Sequence, residues 1–160
     1  MPAPSPEPWP ARIAAPFGVI AVAVGDGCLT GVSYFPSGSR LLAPEDALAR
    51  EACRQIRAYL RDPRFRFDLP LRAPGTGHQQ RVWRALSAIP SGRTLSYGEL
   101  AAAVGSSPRA VGQACGANPL PLVVPCHRVV ARDGGPGGFM GRRGGFALSV
   151  KRWLLAHERG

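Results

Sequence analysis

Lysine is nearly missing from this sequence: Lys151 stands alone among twenty Lys and Arg residues. A genome that favours Arg and Ala would leave the same imprint, so that scarcity by itself identifies no partner. Acidic residues are scarce too, and their distribution says more. Residues 1–72 hold nine Arg against seven Asp and Glu, a net of +2. Residues 73–160 hold eleven Lys and Arg against only Glu99, Asp133 and Glu158, a net of +8. A net charge of +10 and a pI near 10.9 favour a polyanionic partner, and the bias toward the second half counts against a purely compositional origin. The four cysteines, Cys28, Cys53, Cys115 and Cys126, contain no Cys-x-x-Cys pair, and the histidines complete no zinc pattern. A site built from Cys28, Cys53 and His78 remains the one metal alternative. No run approaches 18 apolar residues and no charged-then-apolar leader opens the sequence. The expectation is a soluble, cytoplasmic protein of a reducing compartment whose cysteines are thiols.

What is present suffices for a packed core, at 45% hydrophobic and 19% charged residues, and excludes wholesale disorder. Five prolines among small polar residues make 1–10 a disordered arm. Ile13 to Val24 is β-rich, Gly25-Asp26-Gly27 signals a hairpin turn, and Cys28 to Phe35 alternates as a second strand. Pro44-Glu45-Asp46 opens a helix with acidic residues in its first turn. Leu48, Ala52, Ile56 and Leu60 form its apolar stripe, and Phe65 to Leu71 reads as a further strand. Cys28 and Cys53 have apolar neighbours and read as packing rather than ligands.

Ala73-Pro74-Gly75-Thr76-Gly77 is a Pro/Gly break, dividing an 11–72 scaffold from a 73–160 domain. His78 to Ile89 predicts a helix with Val82, Leu86 and Ile89 on one face. Ser96 to Glu99 is a capping box that opens a second helix ending at Gly105. Ser107-Pro108 opens a third, with Ser as N-cap and Pro at N1. Helix, short glycine turn, helix is a helix-turn-helix spacing. The third helix carries Gly112 and Gly116, each costing about 1 kcal/mol against alanine. Either it packs tightly on a neighbouring helix, or it presses against a nucleic-acid groove with Arg109 projecting from its start.

Asn118-Pro119 ends that helix, and the apolar run from Leu120 to Val124 delivers Pro125-Cys126-His127-Arg128. A cysteine beside a histidine is weak evidence alone, since most free cysteines are buried small hydrophobes. The ordered set is specific: Arg109-Ala110-Val111-Gly112, Asn118-Pro119, Pro125-Cys126-His127-Arg128-Val129-Val130 and Leu154-Leu155-Ala156-His157-Glu158. It resembles the O6-alkylguanine-DNA alkyltransferases, also called methylated-DNA–protein-cysteine methyltransferases, closely over Thr76 to Glu158 and in length and element order before that.

The resemblance implies that Cys126 accepts the alkyl group from guanine O6 as a thiolate, with His127 as base through a water and Glu158 orienting the imidazole. Tyr97 would donate to guanine N3. Arg109 would fill the gap left by an extruded nucleotide, since the O6 substituent cannot reach a buried thiol from within a stacked duplex. Ala110, Gly112, Cys115 and Arg128 join Arg109 at the DNA, in the minor groove, whose degenerate code suits a protein that scans any sequence. Asn118, Val129, Phe139 and Met140 belong to the substrate pocket, Asn118 bracing the turn and Val129, with Cys126, offering carbonyls to the guanine amino group. The implied fold is α+β: a small ribonuclease H-like N-terminal α/β domain and a mainly helical domain with a winged helix-turn-helix. The implied partner is double-stranded DNA containing O6-alkylguanine, with O4-alkylthymine as a further substrate, no cofactor and no membrane. The protein is expected to be a nucleoid-associated monomer, with cooperative DNA binding left open.

The sequence departs from the family at His78, where Phe is usual, at Phe139, where Tyr is common, and at Met140. It also has extra residues between Phe139 and Lys151, including Arg142-Arg143-Gly144-Gly145, and a shortened turn before Arg109. Two other readings compete: a non-catalytic lesion binder that recruits repair factors, against which Cys126 argues, and a methylation-sensing regulator, which would need a further cysteine cluster.

Overall fold

The computed structural model describes residues 9–139 and 144–160. Most of the expected arm, Met140 and the Arg142-Arg143 pair lie outside the described residues. Two compact units divide between Ala73 and Pro74.

In the first unit, β1 (Ala11–Ala15), β2 (Gly18–Gly25) and β3 (Cys28–Phe35) form an antiparallel sheet in sequential order. The β2–β3 turn uses left-handed Asp26 and Gly27 (φ 50° and 74°), as a tight hairpin requires. The single strand expected over 13–24 is in fact two. Pro16 cannot donate to a ladder, and the chain reverses at Pro16-Phe17 with Ala15 paired to Gly18. One helix, α1 (Ala47–Arg61), packs on all three strands. Its start also differs from expectation: Asp46 is the N-cap, accepting from the Leu48 and Ala49 amides, and Pro44 and Glu45 precede the helix. The buried face is Ala49, Ala52, Cys53, Ile56 and Tyr59, rotated from the Leu48–Leu60 stripe. Phe65 to Leu71 is extended but not a strand. The Asp68 amide and carbonyl pair with the Gln55 side chain rather than with a neighbouring strand, and only Leu71 bridges to Leu29.

In the second unit, α2 (Gly77–Ser87), α3 (Tyr97–Val104) and α4 (Pro108–Gly116) pack on one another. Both α2 and α3 start at full capping boxes, Thr76 with Gln79 and Ser96 with Glu99. Gly75 lets the chain pass Trp83, because a Cβ there would lie 2.6 Å from the indole. The Trp83 indole donates to the Ala114 carbonyl and ties α2 to α4. Gly105 closes α3 in the left-handed conformation (φ 67°), and Ser107 caps α4 with Pro108 at N1. After α4, a single 3-10 turn, Cys126–Arg128, leads into β5 (Val129–Val130), paired in parallel with β4 (Leu95–Ser96). The last helix, α5 (Gly145–Arg159), packs against that turn.

Candidate active site

The cysteine at the head of the 3-10 turn is held by an unusual approach. Asn118 is buried, its amide donating to the Val124 carbonyl while its oxygen accepts from the Leu120 amide. Its backbone N–H reaches the Cys115 carbonyl at the end of α4. Within the loop so closed, Leu122 is buried with φ 77°, a left-handed conformation that a leucine adopts only when its surroundings impose it. Cys126 emerges 4% exposed.

His127 is fully buried, and its Nε2 lies 2.8 Å from Glu158 Oε2. Both Glu158 oxygens also accept from Arg128, Nε to Oε1 and Nη2 to Oε2, each at 2.8 Å. The remaining Arg128 nitrogen donates to the Ile89 carbonyl at 2.6 Å. A carboxylate so engaged is unprotonated, so His127 Nε2 carries the hydrogen and donates. His127 Nδ1 is buried with no hydrogen-bond partner. Burial lowers the imidazole pKa, the Glu158 carboxylate raises it, and the Arg128 and Lys151 charges lower it, for a net depression. The ring is neutral near pH 7 with a bare acceptor at Nδ1, the state a general base needs.

Opposite lies a residue that sequence reasoning passed over. Lys151, on α5, is fully buried, and its ammonium donates to the Val129 and Gly138 carbonyls at 2.7 Å each. It also lies 3.5 Å from the Tyr97 hydroxyl and 5.7 Å and 5.9 Å from the Tyr97 and Phe139 ring centres. Burial pulls its pKa down to about 8, against the raising influence of Cys126 and Cys115. Its isolation in an otherwise all-arginine set of basic residues was the available signal. Tyr97 donates to the Gly138 carbonyl at 3.2 Å, and burial, followed by the Cys115 and Cys126 charges, pushes its pKa up to about 12. It therefore remains a donor. Gly137, in the left-handed region at φ 67°, lies so close that a Cβ would sit 2.9 Å from the Tyr97 ring.

The sulfur itself is a thiol at rest. Burial pushes the Cys126 pKa up to about 11, against the lowering effects of the Asn118 side chain and Lys151. The thiolate that transfer requires is thus not the resting species, and removing its proton falls to a neighbour.

Two of the residues expected at the DNA are turned into the protein. Arg128 has its guanidinium bound inward to Glu158 and Ile89, with its side chain only 12% exposed. Cys115 is buried in α4, within electrostatic range of Tyr97, Cys126 and Lys151, and burial pushes its pKa up to about 12. Arg109 is exposed, with Ala110 and Gly112 half-buried and Gln113, one turn beyond Arg109 and overlooked in the sequence, exposed as well. A Cβ on Gly112 would meet only Tyr97, at 3.9 Å, so close packing within the protein does not account for that glycine. Phe139 is buried, and Met140 lies outside the described residues. His78 bonds Ser106 through Nε2 at 2.7 Å, and among the described residues no group of three His, Cys, Asp or Glu could hold a metal.

Residues 77–160 match the family model "6-O-methylguanine DNA methyltransferase, DNA binding domain". The methylated-DNA–protein-cysteine methyltransferase of Mycolicibacterium paratuberculosis is 41% identical over 152 residues, 91% of this chain and 88% of that protein. The regulatory protein ada of Salmonella typhimurium is 49% identical over 109 residues, 67% of this chain. The chain spans 30% of that regulator's length, and 40% and 65% of two further relatives from Escherichia coli and Bacillus subtilis. The crystal structure of Mycobacterium tuberculosis OGT in complex with DNA superposes with a TM-score of 0.78 at 38% identity, covering 92% of this chain and 91% of that one.

Proposed function

The chain belongs to the methylated-DNA–protein-cysteine methyltransferases, a family of DNA-repair enzymes with a DNA-binding domain, and on that premise we propose that it transfers the alkyl group of O6-alkylguanine in duplex DNA onto its own Cys126. The observation that carries this reading is the state of His127, the residue after Cys126 in the chain, its Nε2 committed to Glu158 and its Nδ1 buried and bare. As the lesion enters, the Cys126 proton passes through a water to Nδ1. The sulfur attacks the alkyl carbon in line, forming the S–C bond as the C–O6 bond breaks. Tyr97 turns from the Gly138 carbonyl to guanine N3, so the departing base leaves without uncompensated negative charge. The Asn118 amide and Lys151 favour the thiolate as it forms, since both lower the Cys126 pKa. Nothing regenerates the thioether, so each molecule reacts once.

The lesion is reached by extruding the nucleotide into the Phe139 pocket, with Arg109 taking its place in the stack. The pair α3–α4, as a winged helix-turn-helix, sets Arg109, Ala110, Gly112 and Gln113 against the minor groove. The small residues permit close approach, and the basic second half supplies salt-sensitive phosphate contacts. O4-alkylthymine is a second substrate of the same pocket, and the protein acts as a monomer in the cytoplasm.

The test is the mass of the intact protein and of its Cys126 peptide after mixing with excess duplex carrying O6-methylguanine. One methyl gained on Cys126, saturating at one per chain and absent in Cys126→Ser, is the expected result. Tight lesion binding without a mass change would replace transfer with recruitment as the function.

A further inference from the structure

We infer that Arg128 is a positioning residue for the proton transfer: by holding both oxygens of Glu158 it keeps His127 as the neutral Nε2–H tautomer, with Nδ1 presented as the base. The inference rests on Cys126 being the alkyl acceptor.

The geometry separates this role from simple bracing. A histidine buried against a lone carboxylate tends to take a proton and become imidazolium, because the ion pair is favoured out of water. An imidazolium already formed at rest has no lone pair for the Cys126 proton. Here the carboxylate charge is met first by the guanidinium, through two parallel 2.8 Å bonds, and His127 supplies a third, single bond to Oε2. The bond from Arg128 to the Ile89 carbonyl anchors the fork to the chain just after α2, so it cannot follow Glu158 if the carboxylate turns. Other charges acting on His127 are Lys151 from α5 and Arg128 itself, both opposing a second positive charge on the ring. From the α2 side the approach is the uncharged Ile89 carbonyl. His127 Nδ1 is left as the one open valence of a network otherwise satisfied at every nitrogen. Arg128 therefore acts on the reaction through Glu158 and His127, without touching DNA or the reacting atoms.

Two measurements test this on the intact protein. Long-range proton–nitrogen NMR of the ¹⁵N-labelled wild type at pH 6.5 is expected to show His127 neutral and protonated at Nε2. An Nδ1–H tautomer or an imidazolium would overturn the inference. Single-turnover transfer to Cys126 is then followed from neutral pH downward as far as the fold persists, where Lys151 stays an ammonium. The thiol–imidazolium form is inactive, so the rate falls on its acid side. Arg128→Gln removes a positive charge facing the ring and is expected to move that fall upward by about one pH unit. Arg128→Lys keeps the charge and is expected to leave the position of the fall while lowering the plateau, because one amine cannot reproduce the fork. An unmoved fall in Arg128→Gln would reduce the residue to bracing. A salt dependence of duplex binding shallower by about one counterion in that variant would make it a phosphate contact instead. Should Arg128→Gln fail to fold, the wild-type tautomer decides. If wild-type Cys126 is never alkylated, the proposed function fails, while the tautomer measurement still reports on the network.

Discussion

Lys151→Met separates stability from function in a way the structure allows to be worked through. Burial depresses the ammonium pKa from its ordinary 10.5 to about 8, which at 1.36 kcal/mol per unit is roughly 3 kcal/mol against the charged form in the folded state. Methionine removes that penalty but leaves the Val129 and Gly138 carbonyls without their donor, at about 1–3 kcal/mol each. The two effects offset one another in large part, so stability at pH 7 is expected to change by no more than about 3 kcal/mol. Transfer to Cys126 is expected to slow at least about tenfold, a difference of only 1.4 kcal/mol in the barrier, because the carbonyls that carry the pocket wall lose their common anchor. The pH dependence gives the sharper reading. Below about pH 8 the amine is charged in both states and the penalty is complete. Above it the folded protein releases the proton while the unfolded chain keeps it up to 10.5, so wild-type stability gains about 1.4 kcal/mol per pH unit. Cys115 and Cys126, with pKa values raised to about 12 and about 11, contribute the opposite slope once unfolded thiols ionise, and do so in both proteins. The quantity to measure is therefore the difference between wild type and variant in urea melts, expected to grow by about 2 kcal/mol between pH 8 and 9.5. A flat difference would refute the buried-ammonium account of Lys151.

Gly112→Ala should raise the melting temperature, with a helix-interior gain of up to about 1 kcal/mol, since the added methyl has 3.9 Å to Tyr97. The same variant should bind duplex DNA more weakly by fluorescence anisotropy, and unchanged affinity would remove Gly112 from the groove-facing surface. Gly137→Ala should act in the opposite manner, costing about 1–2 kcal/mol for the left-handed backbone and pushing Tyr97 aside, with transfer slowed more than lesion binding. Equal losses in both would mean that Tyr97 serves binding alone.

The legible parts of this chain are those specified by neighbours in sequence. The Asp26-Gly27 turn, the Ser96–Glu99 box and the Ser107-Pro108 start are each fixed within four residues, and each stands in the structure where the residues indicate. Errors arose where a distant partner decides. The phase of α1 is set by the sheet beneath it, and Phe65 to Leu71 is kept from pairing as a strand by Gln55, whose side chain takes up the Asp68 backbone. Arg128 carries the charge and the position of a DNA contact, and its inward bond to Glu158, thirty residues on, is written in no local pattern. Lys151 gains its surroundings from Tyr97, Val129 and Gly138, three positions no local pattern connects to it.

Asn118 has a consequence for how far the sulfur can move. One side chain locks the loop from Leu120 to Val124, and its backbone is fastened to the last turn of α4. The helix and the sulfur therefore move as a single part, like the jaw and pin of a gauge. Cys126 cannot travel toward a target that lies slightly out of reach; the distance from α4 to the sulfur is built in, and whatever reacts there must make the whole journey itself.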